Sequence, residues 1–109
     1  MNYIHKNLVN EQWHRMSFFD QMANIGSEIG RTISWREKNI EYSQRAFERA
    51  LELLDLTIGD ARNISRLKEL CRLREILVDH FAFDNTYHST DDQWQKYFYA
   101  FNFAARAKY

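Results

Sequence analysis

The sequence predicts an all-α fold, an up-and-down antiparallel four-helix bundle, and three observations carry the prediction. Proline is absent and only three glycines occur in 109 residues, so the usual punctuation of sheets and tight turns is missing and long helices are the simplest solution. Apolar residues recur at about 100° per residue along four stretches, the period of a helix with one buried face. Short connections join these stretches, which makes each helix the antiparallel neighbour of the next. The length fits a single domain, residues 1–109, in which residues 1–9 read as a loosely held N-terminal segment.

The first helix is expected from about Asn10 to Ser34, with Phe18, Met22, Ile25, Ile29 and Ile33 on one face and Asp20, Asn24, Ser27, Glu28 and Arg31 opposite. Gly26 and Gly30 lie at the edge of that stripe, where two missing side chains let a neighbouring helix come close. The second helix, about Asn39 to Ile58, turns Phe47, Ala50, Leu51, Leu54 and Ile58 inward, and Gly59 directly after it reads as a left-handed cap. The third spans about Asn63 to Phe83. A polar turn over Asp84 to Ser89 follows, and Thr90 with Gln93 three residues on forms a capping box that opens the fourth helix, about Asp91 to Arg106. Its inner stripe is Trp94, Tyr97, Phe98, Phe101, Ala104 and Ala105.

Composition removes several classes of function. Lys plus Arg and Asp plus Glu both total 15, so no net charge draws the chain to a phosphate backbone or an anionic membrane. No apolar run approaches the roughly 18 residues of a membrane span, and the first residues lack the order of an export signal. Cys71 is the single cysteine, which excludes a disulfide within the chain and fits the reducing cytoplasm. It falls on the apolar arc of the third helix and is expected to be an inert core residue. The sequence contains no nucleotide-binding glycine loop, nucleophile elbow or carboxylate dyad, so no cofactor is expected. Asp79, His80, Asp84 and His88 match no established ligand spacing, and no metal is expected. Arg62, Arg66, Lys68, Arg72 and Arg74 form a basic run, but Glu69, Glu75 and Asp79 interleave with it, as on a solvated face.

Four large residues fall off the inward stripes. Tyr99 and Phe103 sit on the back of the fourth helix, and Trp13 and Met16 point away from the main face of the first. Several aromatic residues on the outer faces of a small bundle suggest a contact surface, and a homodimer is expected.

On the third helix, Leu67, Leu70, Cys71, Leu77, Val78 and Phe81 share one arc with Arg74 near its centre. An arginine placed there needs a carboxylate partner or an opening in the surface, because a bare buried guanidinium costs several kcal/mol. His80 lies about 120° round from Arg74 on a straight helix, so the two side chains do not converge within it.

The stretch "REILVDHF" and the helices around it resemble the HEPN superfamily of short all-α bundles. Arg74 and His80 satisfy the superfamily's ribonuclease motif, an arginine and a histidine separated by four to six residues. Against the branch associated with minimal nucleotidyltransferases, Glu75 stands for an asparagine, Asp79 for the histidine and Phe81 for a tyrosine, and His80 comes one place later. The resemblance implies a dimer, a nucleotidyltransferase as protein partner and, in active members, metal-independent RNA cleavage in a cleft lined by Arg74 and His80. The stretch "NIEYSQRAFERALELLDLTI" resembles one helix of a tetratricopeptide repeat, but one copy is not an array and the residues read as ordinary core. "ANIGSEIGRTISWREKN" and "AFERALELLDLTI" resemble a family of small prokaryotic proteins to which no activity attaches. The leading expectation is therefore a binding or accessory protein; the alternative is a ribonuclease using Arg74 and His80.

Overall fold

A computed structural model describes residues 11–107, and every regular element among them is helical. The expectations for residues 1–9 lie outside the described residues. Residues 11–15 are helical, and four longer helices follow: α1 (Phe18–Trp35), α2 (Ile40–Ile58), α3 (Leu67–Ala82) and α4 (Asp91–Ala107). A 3-10 helix, Ala61–Arg66, joins α2 to α3.

The first predicted helix is thus broken. Ser17 is the reason: its backbone is extended and its hydroxyl accepts the Asp20 amide, so α1 starts afresh there. Asn39 starts α2 in the same way, accepting from the amides of Glu41 and Tyr42. The third predicted helix is also divided. Asp60 caps the 3-10 helix by accepting the Arg62 amide, and Asn63 is drawn inward to Gln21 and to the Thr57 carbonyl. Gly59 ends α2, but with φ −77° and ψ −6°, not in the left-handed region; the chain passes into the tighter 3-10 spiral and needs no reversal. The capping box is present: Gln93 Oε1 accepts the Thr90 amide at 2.9 Å and Thr90 Oγ1 accepts the Gln93 amide at 3.1 Å.

Helix α1 is central, packing extensively on α2 and α4, while α3 leans on α2 and the 3-10 helix. Met22, Ile25 and Ile29 of α1 are fully buried, each worth about 1.5–3 kcal/mol of transfer free energy. They meet Phe47, Ala50, Leu53 and Leu54 from α2, Leu70, Leu73 and Leu77 from α3, and Trp94 and Phe98 from α4. Gly26 fulfils its expectation, since a β-carbon there would stand 2.6 Å from Phe98 Cβ; Gly30 does not, with nothing within 4 Å of its β-carbon position.

Trp13 requires a correction. It is 4% exposed in the core, and its indole nitrogen donates to Thr57 Oγ1 at 3.0 Å. The break at Ser17 frees residues 11–15 from the α1 face and folds the ring inward. Beside it, Gln21, wholly buried, donates to the Trp13 carbonyl and to Asp60 Oδ2. Arg62 clamps Asp60 and also donates to the Met16 carbonyl. Hydrogen bonds to Arg62 and Gln21 hold the buried Asp60 carboxyl far below the usual carboxylate range.

Candidate functional site

Helix α3 carries Arg74 and His80, and its inner face settles where each points. Leu70, Leu73 and Leu77 are buried, whereas Cys71 is exposed and Val78 only partly covered. The buried arc therefore lies further round than the sequence suggested. Arg74 sits at its edge and Cys71 outside the core, both corrections to the expected placement. Arg74 Nε donates to Asp55 Oδ1 of α2 at 2.7 Å and Nη2 reaches Oδ2 at 3.4 Å, with the two side chains 39% and 55% exposed. The carboxylate partner anticipated for Arg74 is present, but in a partly solvated setting.

His80 points the other way, its side chain 7% exposed. The ring stands edge-on to Phe81 and to Trp94. Nε2 lies 2.8 Å from Asp91 Oδ1 and Nδ1 lies 2.9 Å from Ser89 Oγ. An ionised carboxylate only accepts, so Nε2–H donates to Asp91, and in the neutral ring Nδ1 accepts the Ser89 hydroxyl proton. Trp94 Nε1 donates to Ser89 Oγ at 3.1 Å, and Arg36 donates to Asp91 Oδ2 at 3.1 Å while stacking over Phe81. The resulting knot ties the end of α3 to the start of α4 and to the turn after α1. Serine, histidine and aspartate are thus in sequence along hydrogen bonds, as in a hydrolase relay. The Ser89 oxygen, however, already receives the indole proton, and both His80 nitrogens are engaged internally. Within the chain Arg74 and His80 are not brought together.

The neighbouring polar groups are likewise structural. The Asp79 carboxylate accepts the amides of Thr86 and Tyr87. The Tyr87 amide first, and Thr86 with it, hold that carboxyl below its ordinary range. The Tyr87 hydroxyl donates to Glu75, which raises the phenol. In the basic run Arg62 serves Asp60, Arg66 stacks on Phe18, Arg72 on Tyr87, and Arg74 pairs with Asp55. These four cations are therefore committed within the chain. Among the described residues no group of three His, Cys, Asp or Glu side chains is placed to hold a metal ion, and no helix is long and apolar enough to cross a membrane.

Among the open surfaces of the described residues, two carry residues singled out by the sequence. An open groove of about 620 Å³ lies along the outer side of α3, lined by Cys71, Arg74, Val78, Phe83 and Tyr87. The other surface is the back of α4. Tyr99 and Phe103, one turn apart, are 66% and 62% exposed. Tyr99 borders a cleft of about 240 Å³ between α1 and α4, lined also by Gly26, Gly30, Gln95, Phe98 and Asn102. Of the four expected contact residues, Tyr99 and Phe103 are on the surface, Met16 is half-buried against the core, and Trp13 is internal. Sequence reasoning missed Phe83, 73% exposed, and Ile64, 71% exposed. Phe83 adjoins the end of α3 and Ile64 lies in the 3-10 helix before it, both off the periodic face of α3. It also missed the Ser89–His80–Asp91 knot, which depends on the path of the turn. Comparisons with family models, curated proteins and solved structures returned no match.

Proposed function

We propose that the chain is a binding and accessory protein of the cytoplasm that acts as a homodimer, with no catalytic activity of its own. The exposure of Tyr99 and Phe103 on one face of α4 carries this reading. Two large aromatic side chains held in water on adjacent turns lose hydrophobic free energy that a partner surface restores. An up-and-down antiparallel bundle is the arrangement in which α4, an outer helix, presents that face without disturbing the core. A nucleotidyltransferase is the class of protein partner that the superfamily resemblance implies. Sedimentation equilibrium is the test: the wild type is expected to show a concentration-dependent dimer, and Phe103→Asp or Tyr99→Asp to abolish it. A monomeric wild type at tens of micromolar overturns the proposal. The metal-independent ribonuclease reading ranks second, because the His80 nitrogens are occupied by Asp91 and Ser89. RNA cleavage in EDTA that is lost in His80→Ala would put that reading first.

A further inference from the structure

We infer that the second copy docks antiparallel on the outer face of α4, about a two-fold axis passing beside Tyr99, with Asp92 of each copy against Arg106 of the other. The inference rests on the homodimer reading and adds its surface, direction and register. Asp92 and Arg106 stand seven residues before and after Tyr99. Two helical turns take 7.2 residues, so both lie within about 20° of Tyr99 and about 10.5 Å from it along the axis. Gln95 and Phe103 follow at four residues either way, and Lys96 and Asn102 at three. This 4-3 spacing is that of a seam between two helices.

Charge fixes the direction. The first turn of α4 is acidic, with Asp91 and Asp92, and the last is basic, with Arg106. A parallel pair would set Asp92 against Asp92 and Arg106 against Arg106; an antiparallel pair sets Asp92 of each copy against Arg106 of the other and opposes the helix dipoles. Charge also fixes the register. An axis two residues later, which would stack Tyr99 on Phe103, brings Lys96 against Arg106. Centred on Tyr99, the seam instead places Lys96 opposite Asn102. Asp92 is already salt-bridged to Lys96 within the chain at 3.0 Å, but the two side chains are 71% and 78% exposed and are free to share a further cation.

Sedimentation equilibrium of the full chain tests the register. Arg106→Asp or Asp92→Arg alone is expected to raise the dimer Kd at least about tenfold, and Asp92→Arg with Arg106→Asp to return it to within about threefold of the wild type. A wild-type dimer that is indifferent to the single reversals, or unrestored by the pair, overturns this docking and leaves the homodimer itself standing. A monomeric wild type overturns both.

Discussion

Arg74 and His80 leave α3 on different sides, one reaching Asp55 of α2 at 2.7 Å and the other Asp91 of α4 at 2.8 Å. The spacing that resembles a ribonuclease motif is therefore split between an ion pair and a hydrogen bond that tie α3 to different neighbours. For Arg74 the energetic consequence is small. A guanidinium buried without water would make its removal cost about 3–5 kcal/mol, but this pair is 39% and 55% exposed, and partly solvated pairs contribute about 0.2–1 kcal/mol. Arg74→Ala is expected to lower the unfolding free energy by no more than about 1 kcal/mol, read by urea denaturation. A loss of several kcal/mol would mean that the guanidinium is held away from water.

His80 behaves differently because its side chain is enclosed and both nitrogens are used. Replacing it with alanine leaves a void against Phe81 and Trp94, removes the partner of Asp91 Oδ1 and takes one of the partners of Ser89 Oγ. The expected loss is about 1–3 kcal/mol. A double-mutant cycle of His80→Ala with Asp91→Ala separates the pair from the packing, and a coupling of about 0.5 kcal/mol or more is expected for groups in one network. Independent effects of the two substitutions would show that the ring acts by packing alone.

The helices were legible because their faces are periodic. Met22, Ile25 and Ile29 stand three and four residues apart and are buried as the period requires. Capping was legible where a side chain reaches its own helix, as Thr90 and Gln93 do. It was illegible where the capping residue lay inside an apparently continuous pattern, and Ser17 broke a helix that periodicity alone would have run through. The position of Arg74 failed for a related reason. A face estimated from Leu70, Cys71, Leu77 and Val78 centres on the arginine, but tertiary packing selected Leu70, Leu73 and Leu77 and left the cysteine in water. The knot around His80 joins residues 36, 80, 89, 91 and 94, and no local pattern announces a contact made through a turn. Of the candidate surface, Tyr99 and Phe103 were readable as apolar residues off the stripe. Trp13 shared that signature and went inside because Thr57 offered its indole a hydrogen-bond acceptor.

Asp60 gives the fold an acid-side pH dependence. Its carboxyl is 5% exposed and is held well below the ordinary aspartate value of 3.8, chiefly by hydrogen bonds from Arg62 and with help from Gln21. A carboxyl depressed in the folded state stabilises it fully above the unfolded value, and that stability is lost as pH falls toward the folded value. Stability is therefore expected to decline as pH drops below 3.8, and Asp60→Asn to be less stable at neutral pH with a shallower decline in acid. Thermal midpoints between about pH 2 and 7 check this. An Asp60→Asn protein with the wild-type acid slope would assign the slope to other carboxylates.

The two glycines of α1 provide opposite expectations from one substitution. Glycine inside a helix is less favourable than alanine by about 0.8–1 kcal/mol, so alanine stabilises wherever its methyl group has room. At Gly30 nothing lies within 4 Å, and Gly30→Ala is expected to raise stability by about that amount. At Gly26 the new methyl group would meet Phe98 Cβ at 2.6 Å. That neighbour is the root of a buried side chain and not a mobile tip, so relief requires α1 and α4 to move apart. Overpacking of this kind costs about 1–3 kcal/mol and outweighs the helix gain. Gly26→Ala is therefore expected to destabilise, and paired urea titrations of the two variants give the sign of each change. If both variants were stabilised, the close approach of α4 to α1 at Gly26 would be wrong.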